Sequence, residues 1–438
     1  MRTPVSALPH CALGAWLAFT TLVLVLGAAT RPASAQAPPW PHARDFQGWT
    51  DFDTHLAWTA YNQNFYTGGT NGGAIFSNAQ GGTTFCLHCF WEEVEEIEVA
   101  EDAYDWAKIH DTVNLRRYAD EINDLCAGFI DNTYPVNRGP NGPYDLSGDN
   151  FNDDLDWAIM AFTRAYRMTH NANWLTAAEL NFNTVWTRAQ APGGQGNGMS
   201  GLIQSQPHGK NWKPNLDSPV NFTFVIAGYL IYNTTHDREY KTKADNVYQW
   251  SITHLYTTSV GGGACKGHPG LTCAKIYDST TGHSDYTYNY GIAIQAASRE
   301  RDFTKVQYIT NWLMYNSNNP NFPYVGTYDG YNILPNYHQG GNNDDGYNGI
   351  ALRGVGYALA RGILGRRQLA WAQANVAAAW RIRNSEDVMW NNWTPDDPSI
   401  VTPSSGLYSW DCSPALAGMF DIPAPIGNAV LKGQQPAM

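Results

Sequence analysis

The chain has 438 residues, of which 43% are hydrophobic and only 15% are charged, and its formal net charge is −12. This composition supports a large core and excludes an intrinsically disordered protein. The acidic balance, without a long basic run, excludes a typical nucleic-acid-binding protein. The 17 Trp and 25 Tyr supply either a large aromatic core or flat faces on which a ligand stacks.

The N-terminus has the pattern of a secretory signal. Arg2 precedes an apolar run at residues 11–29, and Ala33-Ser34-Ala35 has the small-x-small form of a cleavage site. We therefore expect a signal peptide at 1–35, a secreted mature chain without a membrane span, one catalytic domain at 36–425 and a tail at 426–438. We also expect a monomer.

Cysteine spacing predicts disulfides. Removal of the signal takes away Cys11 and leaves six cysteines, an even number that is typical of exported proteins. Cys265 and Cys273 flank a Gly- and Pro-containing loop, so we expect a local bridge between them. Cys86 and Cys89 have no second cysteine pair at metal spacing, which favours a structural disulfide over a zinc or redox site.

Two helical segments precede the centre of the chain. Residues 40–66 are aromatic and predicted to be helical in part. Residues 90–109 form a long acidic helix, in which Trp91, Val94, Ile97, Ala100 and Tyr104 recur at spacings of three and four. The glutamates occupy the other face of this helix, which we interpret as solvated.

A repeat of helical hairpins follows. Trp186, Trp250 and Trp312 are 64 and 62 residues apart, and each closes a unit of helix, short polar turn and second helix. A weaker fourth copy spans residues 351–380. Long Gly-, Pro- and Asn-rich loops separate the units, so the pattern predicts an all-α toroid with functional loops gathered at one end.

The strongest candidate for chemistry is the start of one predicted helix, at residues 149–166. Asp153, Asp154 and Asp156 lie there beside Trp157. A helix N-terminus accounts for one acidic residue, but three within four positions exceed that need. Adjacent carboxylates repel, so one pKa should rise, as a general acid beside a nucleophile requires. Two carboxylates without a metal most commonly hydrolyse glycosidic bonds.

Other catalytic motifs are absent from the sequence. It contains no G-x-S-x-G, H-E-x-x-H, Walker or dinucleotide-binding pattern. The acidic run at residues 342–346 lacks EF-hand spacing and is interpreted as a polar turn. We therefore expect neither a cofactor nor a metal.

Five segments resemble glycoside hydrolase family 76, the endo-α-1,6-mannanases, in family order over roughly residues 45–420. DDLDWAIMAFTRAY, at residues 153–166, is similar to the family's D-D-x-x-W signature. FWEEVEEIEVAEDAYD, DYTYNYGIAIQAA, YNGIALRGVGYALA and WDCSPALAGM are similar to weaker family segments. The resemblance implies an (α/α)6 barrel of six helical hairpins.

The resemblance also implies a function. It makes the chain a retaining hydrolase of α-1,6-linked mannan, with Asp153 as nucleophile and Asp154 as acid/base. A retaining site needs its carboxyls about 5 Å apart, so we expect the backbone to leave regular helix at Asn152. The substrate-binding residues implied are Trp157, Asn221, Asp285, Tyr286, Tyr288, Asn289 and Arg353.

Three positions depart from the family pattern. Ala158 replaces a second Trp, Asn348 replaces a Lys, and the segment before Asn221 lacks its basic residue, for which Lys213 is a possible substitute. These departures concern substrate contacts and leave the aspartate pair intact.

Three other functions remain open. The first is a transglycosylase acting on cell-wall mannan or GPI-type glycans, which uses the same intermediate with a sugar acceptor. The second is a non-catalytic carbohydrate-binding protein, which does not need both Asp153 and Asp154. The third is a lyase or unsaturated-uronide hydrolase, for which the expected Arg- and Lys-rich loops are not seen near the pair.

Overall fold

The structure is a computed structural model that describes residues 48–68, 73–86, 89–133, 136–207, 213–282, 284–316, 324–335, 346–393 and 407–425. All of them belong to the compact unit Pro41–Met438, and the other unit, Met1–Trp40, lies outside the described residues. The predicted signal peptide, the tail at 426–438 and residues 342–345 of the polar turn also lie outside them. Within the described ranges, no helix is long and apolar enough to cross a membrane.

Six inner helices form a closed ring. They are α2 (Phe90–His110), α4 (Asn152–Thr169), α6 (Ser218–Thr235), α8 (Thr287–Arg299), α10 (Tyr347–Ala360) and α12 (Ser409–Asp421). Each packs against the next, and α12 returns to α2. The ring buries all of its members on several sides, which explains why α6 is apolar over almost its whole circumference.

Six outer helices surround this ring. They are α1 (Asp51–Phe65), α3 (Leu115–Thr133), α5 (Ala172–Arg188), α7 (Arg238–His254), α9 (Phe303–Tyr315) and α11 (Arg366–Arg381). Five of them pack on the inner helix that precedes them in the chain, whereas α1 packs on α12. The predicted all-α toroid of six helical pairs is confirmed, and its sixth pair joins the two ends of the folded chain.

Short turns connect inner to outer helices at one end of the toroid. His170 caps the C-terminus of α4 and His236 that of α6, both in the left-handed conformation with φ of 58° and 62°. The next residue caps the outer helix, because the side chain of Asn171 accepts from the N–H of Asn173 and Asp237 accepts from that of Glu239. The polar turns of the predicted repeat therefore reverse the chain within two residues.

Long loops return the chain to the other end, where the inner helices begin. Several of these loops contain small two-stranded antiparallel sheets. The paired strands are β1 (Tyr66–Gly68) with β2 (Ala74–Phe76), β3 (Tyr256–Thr257) with β6 (Lys275–Ile276), β4 (Ala264–Cys265) with β5 (His268–Thr272), and β7 (Tyr324–Tyr328) with β8 (Tyr331–Pro335). The predicted Cys265–Cys273 disulfide fastens one loop, and Cys86 is bonded to Cys89 before α2. Cys126 and Cys412 are buried and unbonded.

The prediction of a solvated acidic face on α2 is wrong. Seven of its acidic side chains are at most 6% exposed, namely Glu92, Glu93, Glu95, Glu96, Glu98, Glu101 and Asp102. The reason is that α2 is an inner helix, with α3, α4 and α12 packed around it. Two arginines neutralise part of this charge, because Arg164 of α4 and Arg353 of α10 pair with carboxylates of α2.

α8 and α10 approach each other unusually closely at two glycines. A Cβ on Gly291 would lie 2.2 Å from the carbonyl oxygen of Ile350, and one on Gly354 would lie 2.3 Å from that of Gly291. Only glycine fits at both positions. This contact holds α8 against α10, and the rings of Tyr288 and Tyr347, at the beginnings of the two helices, lie with centroids 4.3 Å apart.

Candidate active site

Asp153 and Asp154 occupy the first turn of α4, at the end of the toroid where the long loops gather. The expected departure from regular helix beside the pair is not observed, because both aspartates lie within α4. Phe151 is extended, with φ −93° and ψ 131°, and regular helix begins at Asn152. Consecutive helical residues point about 100° apart around the axis, so the two carboxylates leave α4 in different directions.

Asp153 is held on one side only. Its Oδ2 accepts a hydrogen bond of 3.2 Å from Nε2 of Gln204, while its Oδ1 is buried and accepts none from the described residues. Gln204 is oriented by Asn215, whose Nδ2 donates to Gln204 Oε1 at 3.3 Å and to Asp217 Oδ2 at 3.1 Å. One oxygen of Asp153 is thus fixed, and the other keeps its lone pairs available.

Arg188 anchors the beginning of α4. Its Nε donates to Oδ1 of Asn152 at 2.6 Å, and its two terminal nitrogens donate to the carbonyls of Ser147 and Phe151 at 3.0 and 3.3 Å. Asn152 in turn donates its N–H to the carbonyl of Gln204 at 2.6 Å. The last turn of α5 therefore sets the position from which the aspartate pair projects.

Burial and mutual repulsion raise the pKa values of the pair. Desolvation raises the pKa of Asp153 to about 7, against the opposing hydrogen bond from Gln204. For Asp154, desolvation is joined by repulsion from Asp153, Asp149 and Glu92, which together raise its pKa well above the usual range. The helix N-terminus favours the ionised form of both carboxyls, so burial outweighs it. Both carboxyls therefore keep their protons to a higher pH than an exposed aspartate does.

Aromatic rings from five inner helices surround this end of the toroid. Trp91 lies at the centre, with ring centroids 6.4 Å from Trp157, 6.0 Å from Tyr347 and 4.9 Å from Trp410. Tyr288 extends this group of rings, because its ring centroid lies 4.3 Å from that of Tyr347. Trp91 and Tyr288 are partly exposed, and flat apolar faces of this kind stack on sugar rings.

Tyr286 and Asn289 also belong to this end of the molecule. Tyr286 is partly exposed and stacks on Tyr288 at 6.0 Å. Asn289 is buried, and its Nδ2 donates to Oδ1 of Asp278 at 3.0 Å, an oxygen that also accepts from the hydroxyl of Tyr288 at 3.3 Å. Asn289 therefore supports the carboxylate that holds Tyr288.

The polar side-chain atoms of Asp285 and Asn221 form hydrogen bonds with other residues of the protein. Asp285 is 4% exposed and accepts from the hydroxyl of Tyr290 and from Nε1 of Trp312. Asn221 is fully buried, and its amide bonds both backbone groups of Leu202 and the carbonyl of Asp217. Asn221 joins the loop after α5 to α6, below the open end.

Arg353 projects from α10 toward α2, in the interior of the ring. It is 5% exposed. Its Nη1 donates to Glu95 and Glu98 at 2.5 and 3.2 Å, and its Nε donates to Asp102 at 2.7 Å. The guanidinium of Arg353 is therefore engaged by three carboxylates of α2.

The departures from the family pattern have local explanations. Asn348 bridges two elements, because its Oδ1 accepts from Thr287 at 2.9 Å and its Nδ2 donates to the carbonyl of Pro335 at 2.7 Å. Lys213 is exposed on the loop before α6, and Ala158 is buried in α4. None of the three alters the surroundings of Asp153.

Four residues of the site were not predicted from the sequence: Gln204, Asn215, Asp217 and Asp278. All four lie in loops or at a helix cap, where no periodicity marks them, and long-range contacts bring them together. Trp91 was recognised only as an apolar helix position.

Asp156, the third acidic residue of the run, is fully buried beside Thr223, whose Oγ1 lies 3.4 Å from Oδ2 of Asp156. Within the described ranges, no group of three or more His, Cys, Asp or Glu is arranged to hold a metal.

A helical toroid with an aspartate pair of raised pKa at its open, aromatic end has the construction of a glycoside hydrolase. Residues 55–397 match the model of glycosyl hydrolase family 76. The chain therefore belongs to that family and is a glycoside hydrolase. A search of curated proteins gives no significant match.

Solved structures of the same family share the fold. The α-1,6-mannanase of Salegentibacter sp. HEL1_6 is 17% identical, with a TM-score of 0.62 over 84% of this chain and 98% of that one. An inactive variant of that enzyme, with two consecutive aspartates replaced by asparagine and α-1,6-mannotriose bound, is 15% identical, with a TM-score of 0.62 over the same shares. A family 76 mannosidase from Bacteroides thetaiotaomicron VPI-5482 is 14% identical, with a TM-score of 0.59 over 84% and 96%.

Proposed function

We propose that this protein hydrolyses α-1,6-mannosidic bonds in mannan with retention of configuration. The observation that carries the proposal is the pair Asp153 and Asp154, on consecutive helical positions among aromatic rings and with raised pKa values. The substrate class is supported by relatives that are α-1,6-mannanases, one of which binds α-1,6-mannotriose when two consecutive aspartates are replaced.

Asp153 acts as the nucleophile. Its Oδ1 accepts no hydrogen bond from the described residues, so its lone pairs are available to the anomeric carbon. Gln204 holds Oδ2 and favours the ionised form, which is the form that attacks. Formation of the mannosyl ester breaks the glycosidic bond, and the leaving oxygen takes a proton from Asp154.

Asp154 acts as the general acid and then as the general base. Burial, together with repulsion from Asp153, Asp149 and Glu92, raises the pKa of Asp154, so this carboxyl keeps its proton near neutral pH. After the first step Asp153 is esterified and its negative charge is gone, so the pKa of Asp154 falls. Asp154 then accepts a proton from water, which attacks the anomeric carbon. This attack breaks the ester bond to Asp153 and releases the mannosyl product with its original configuration.

Substrate-binding contacts are assigned to exposed rings at the open end. Trp91, Tyr286 and Tyr288 present partly exposed faces, while Trp157 backs Trp91 from within the wall. We assign supporting roles to Asn221, Asp285, Asn289 and Arg353, because their polar atoms are engaged within the protein.

We also propose that the protein is exported. Two disulfides fasten its loops, and such bonds persist in oxidising compartments. The apolar run and the small-x-small site at the N-terminus have the pattern of a signal peptide.

The test is incubation of the purified protein with linear α-1,6-mannan, followed by product sizing and by NMR of the first-formed anomer. Asp153→Asn and Asp154→Asn should each lower kcat by roughly 10³-fold or more, whereas Asp156→Asn, a matched buried control, should retain activity within about tenfold. Full activity in either catalytic variant refutes the assignment.

Chemical rescue separates the two roles. The substrate is an activated mannoside, and azide is added as an external nucleophile. Asp154→Ala should then form a mannosyl azide of retained configuration, and Asp153→Ala should form one of inverted configuration. The opposite pattern would exchange the roles. Products longer than the substrate would favour transglycosylation, and turnover of another α-glycan instead of mannan would discard the substrate but keep the mechanism.

A further inference from the structure

A second cavity opens at the end of the toroid opposite the aspartate pair. Its volume is about 930 Å³, and it lies where the inner helices end, with lining residues from all six of them. Among the described residues, short turns connect the inner to the outer helices at this end, in contrast to the end with the long loops. The cavity is therefore separate from the site of glycoside hydrolysis.

Three arginines in this cavity have no carboxylate partner. Arg167 is in the last turn of α4, Arg299 in that of α8, and Arg361 directly follows α10. No ion pair forms at any of them among the described residues. Arg164 and Arg353, which also line the cavity, are fully engaged by carboxylates of α2. Three further carboxylates line the cavity: Asp105 pairs with Lys108, Asp51 lies 3.5 Å from His110, and burial with repulsion from Asp102 raises the pKa of Asp421. The unpaired positive charge is thus concentrated on the three arginines.

Arg299 is the most constrained of the three. Its Nε is buried and finds no hydrogen-bond acceptor in the described part of the chain. Its guanidinium lies 4.5 Å from the ring centroid of Tyr357, and that of Arg361 lies 3.3 Å from the same centroid. Burial, together with repulsion by Arg361, Arg164 and Arg167, lowers the pKa of Arg299 to about 10. The arrangement gathers like charges around one ring.

Helix capping explains only part of this cluster. Cations are favoured at helix C-termini, where carbonyl groups lack partners. Arg361 behaves in this way, because its Nη1 donates to the carbonyl of Tyr357 at 3.2 Å. Arg299 has no such bond at Nε, and a buried donor without an acceptor costs more than its attraction to a helix dipole gains. An acceptor from outside the chain would satisfy it.

We propose that this cavity binds a phosphate group, held by Arg299, Arg361 and Arg167. Phosphate presents several charged acceptor oxygens, and planar guanidinium groups bind such oxygens in bidentate fashion. The cavity is far larger than the ion itself, so it accommodates phosphate either free or as an ester on a sugar. Bound phosphate supplies the missing acceptor and offsets the repulsion among the three cations.

Isothermal titration calorimetry on the full protein tests the proposal, with inorganic phosphate, a hexose 6-phosphate and the unphosphorylated hexose as ligands at constant ionic strength. Saturable, one-site binding of phosphate is expected. Tighter binding of the ester than of the free ion would identify an esterified ligand, and the reverse would identify the free ion. The absence of saturable binding by both refutes the proposal and leaves water as the partner of Arg299.

Variants localise the binding. Arg299→Gln and the exposed Arg361→Gln should each weaken phosphate binding about 10- to 100-fold, as expected for loss of hydrogen bonds to a charged group. Arg116→Gln, a control at a 92% exposed side chain, should leave it unchanged. Asp153→Asn should also bind phosphate normally, since that residue lies at the opposite end. Unchanged affinity in both cavity variants would overturn the proposal.

Discussion

Arg353→Met tests whether Arg353 stabilises the toroid or binds the glycan. Met keeps much of the side-chain volume but leaves Glu95, Glu98 and Asp102 without this cation. These groups are at most 5% exposed, and their distances to Arg353 are 2.5 to 3.2 Å. Removing one partner of a buried ion pair costs roughly 3–5 kcal/mol.

The expected loss can be converted to a melting temperature. Unfolding entropy is roughly 2.1 cal/mol/K per residue, or about 0.8 kcal/mol/K for a folded unit of about 390 residues. A loss of about 4 kcal/mol then lowers Tm by about 5 °C. Arg116→Met is the matched control, because its pair with Asp120 is 3.7 Å long and highly exposed, and such pairs contribute only about 0–1 kcal/mol.

The pH dependence of the loss identifies its cause. Burial already raises the pKa of Glu95 well above its usual value, and Arg353 opposes that rise. Without the arginine, the folded-state pKa rises further above the unfolded value. The difference in Tm between the variant and the wild type should therefore be small at pH 5, where the carboxyls accept protons, and should grow toward pH 8.

Differential scanning calorimetry at both pH values, together with steady-state kinetics on mannan, provides the measurement. If Arg353 stabilises the fold, Tm falls while KM of the folded variant stays within about threefold of wild type. A raised KM with unchanged Tm would refute this reasoning and restore Arg353 to the substrate-binding residues. A pH-independent loss of Tm would refute the electrostatic explanation.

Three other predictions concern the open end. Because Asp153 must be ionised and its pKa is raised to about 7, kcat/KM should fall about tenfold per pH unit below about pH 7; an acid limb near pH 4 would contradict this. Gln204→Leu removes a hydrogen bond that favours the ionised form of Asp153. The acid limb of the pH profile should therefore move to higher pH, and kcat should fall about 10- to 100-fold. An unshifted profile would show that Gln204 does not act on Asp153. Trp91→Ala should raise KM for oligosaccharides about tenfold with little change in kcat for a small activated mannoside; equal effects on both substrates would indicate damage to the pair instead of lost stacking.

The hairpin repeat was predictable because helical periodicity and polar turns are local properties. Trp186, Trp250 and Trp312 all lie within the last five residues of α5, α7 and α9. Local pattern also located Asp153 and Asp154 at the start of a helix. Local pattern does not reveal which side of α2 is buried. Glu98, for example, is buried against Arg164 and Arg353, which lie 66 and 255 residues away in sequence.

The hydrogen-bonded surroundings of the aspartate pair were unpredictable for a similar reason. Gln204 and Asn215 lie in Gly- and Asn-rich loops, whose sequences carry no period. Their positions follow from backbone pairing between segments, such as the bridge between Phe151 and Ser205. The sequence also did not indicate that the amide of Asn221 is buried and joins two backbone segments, because sequence spacing contains no information on depth.

Closure of the ring by the pair α1 and α12 has a consequence for biosynthesis. The hydroxyl of Tyr61 donates to the carbonyl of Ser409, and the loop after β2 pairs with residues 407–409. During translation, five sectors of the ring can form in order from the N-terminus, but the sixth waits for residues 409–421 to leave the ribosome. Until then, α2 exposes a charged flank and Trp91 lacks its edge contact with Trp410. The enzyme therefore acquires its aromatic cleft only when nearly the whole chain has been made.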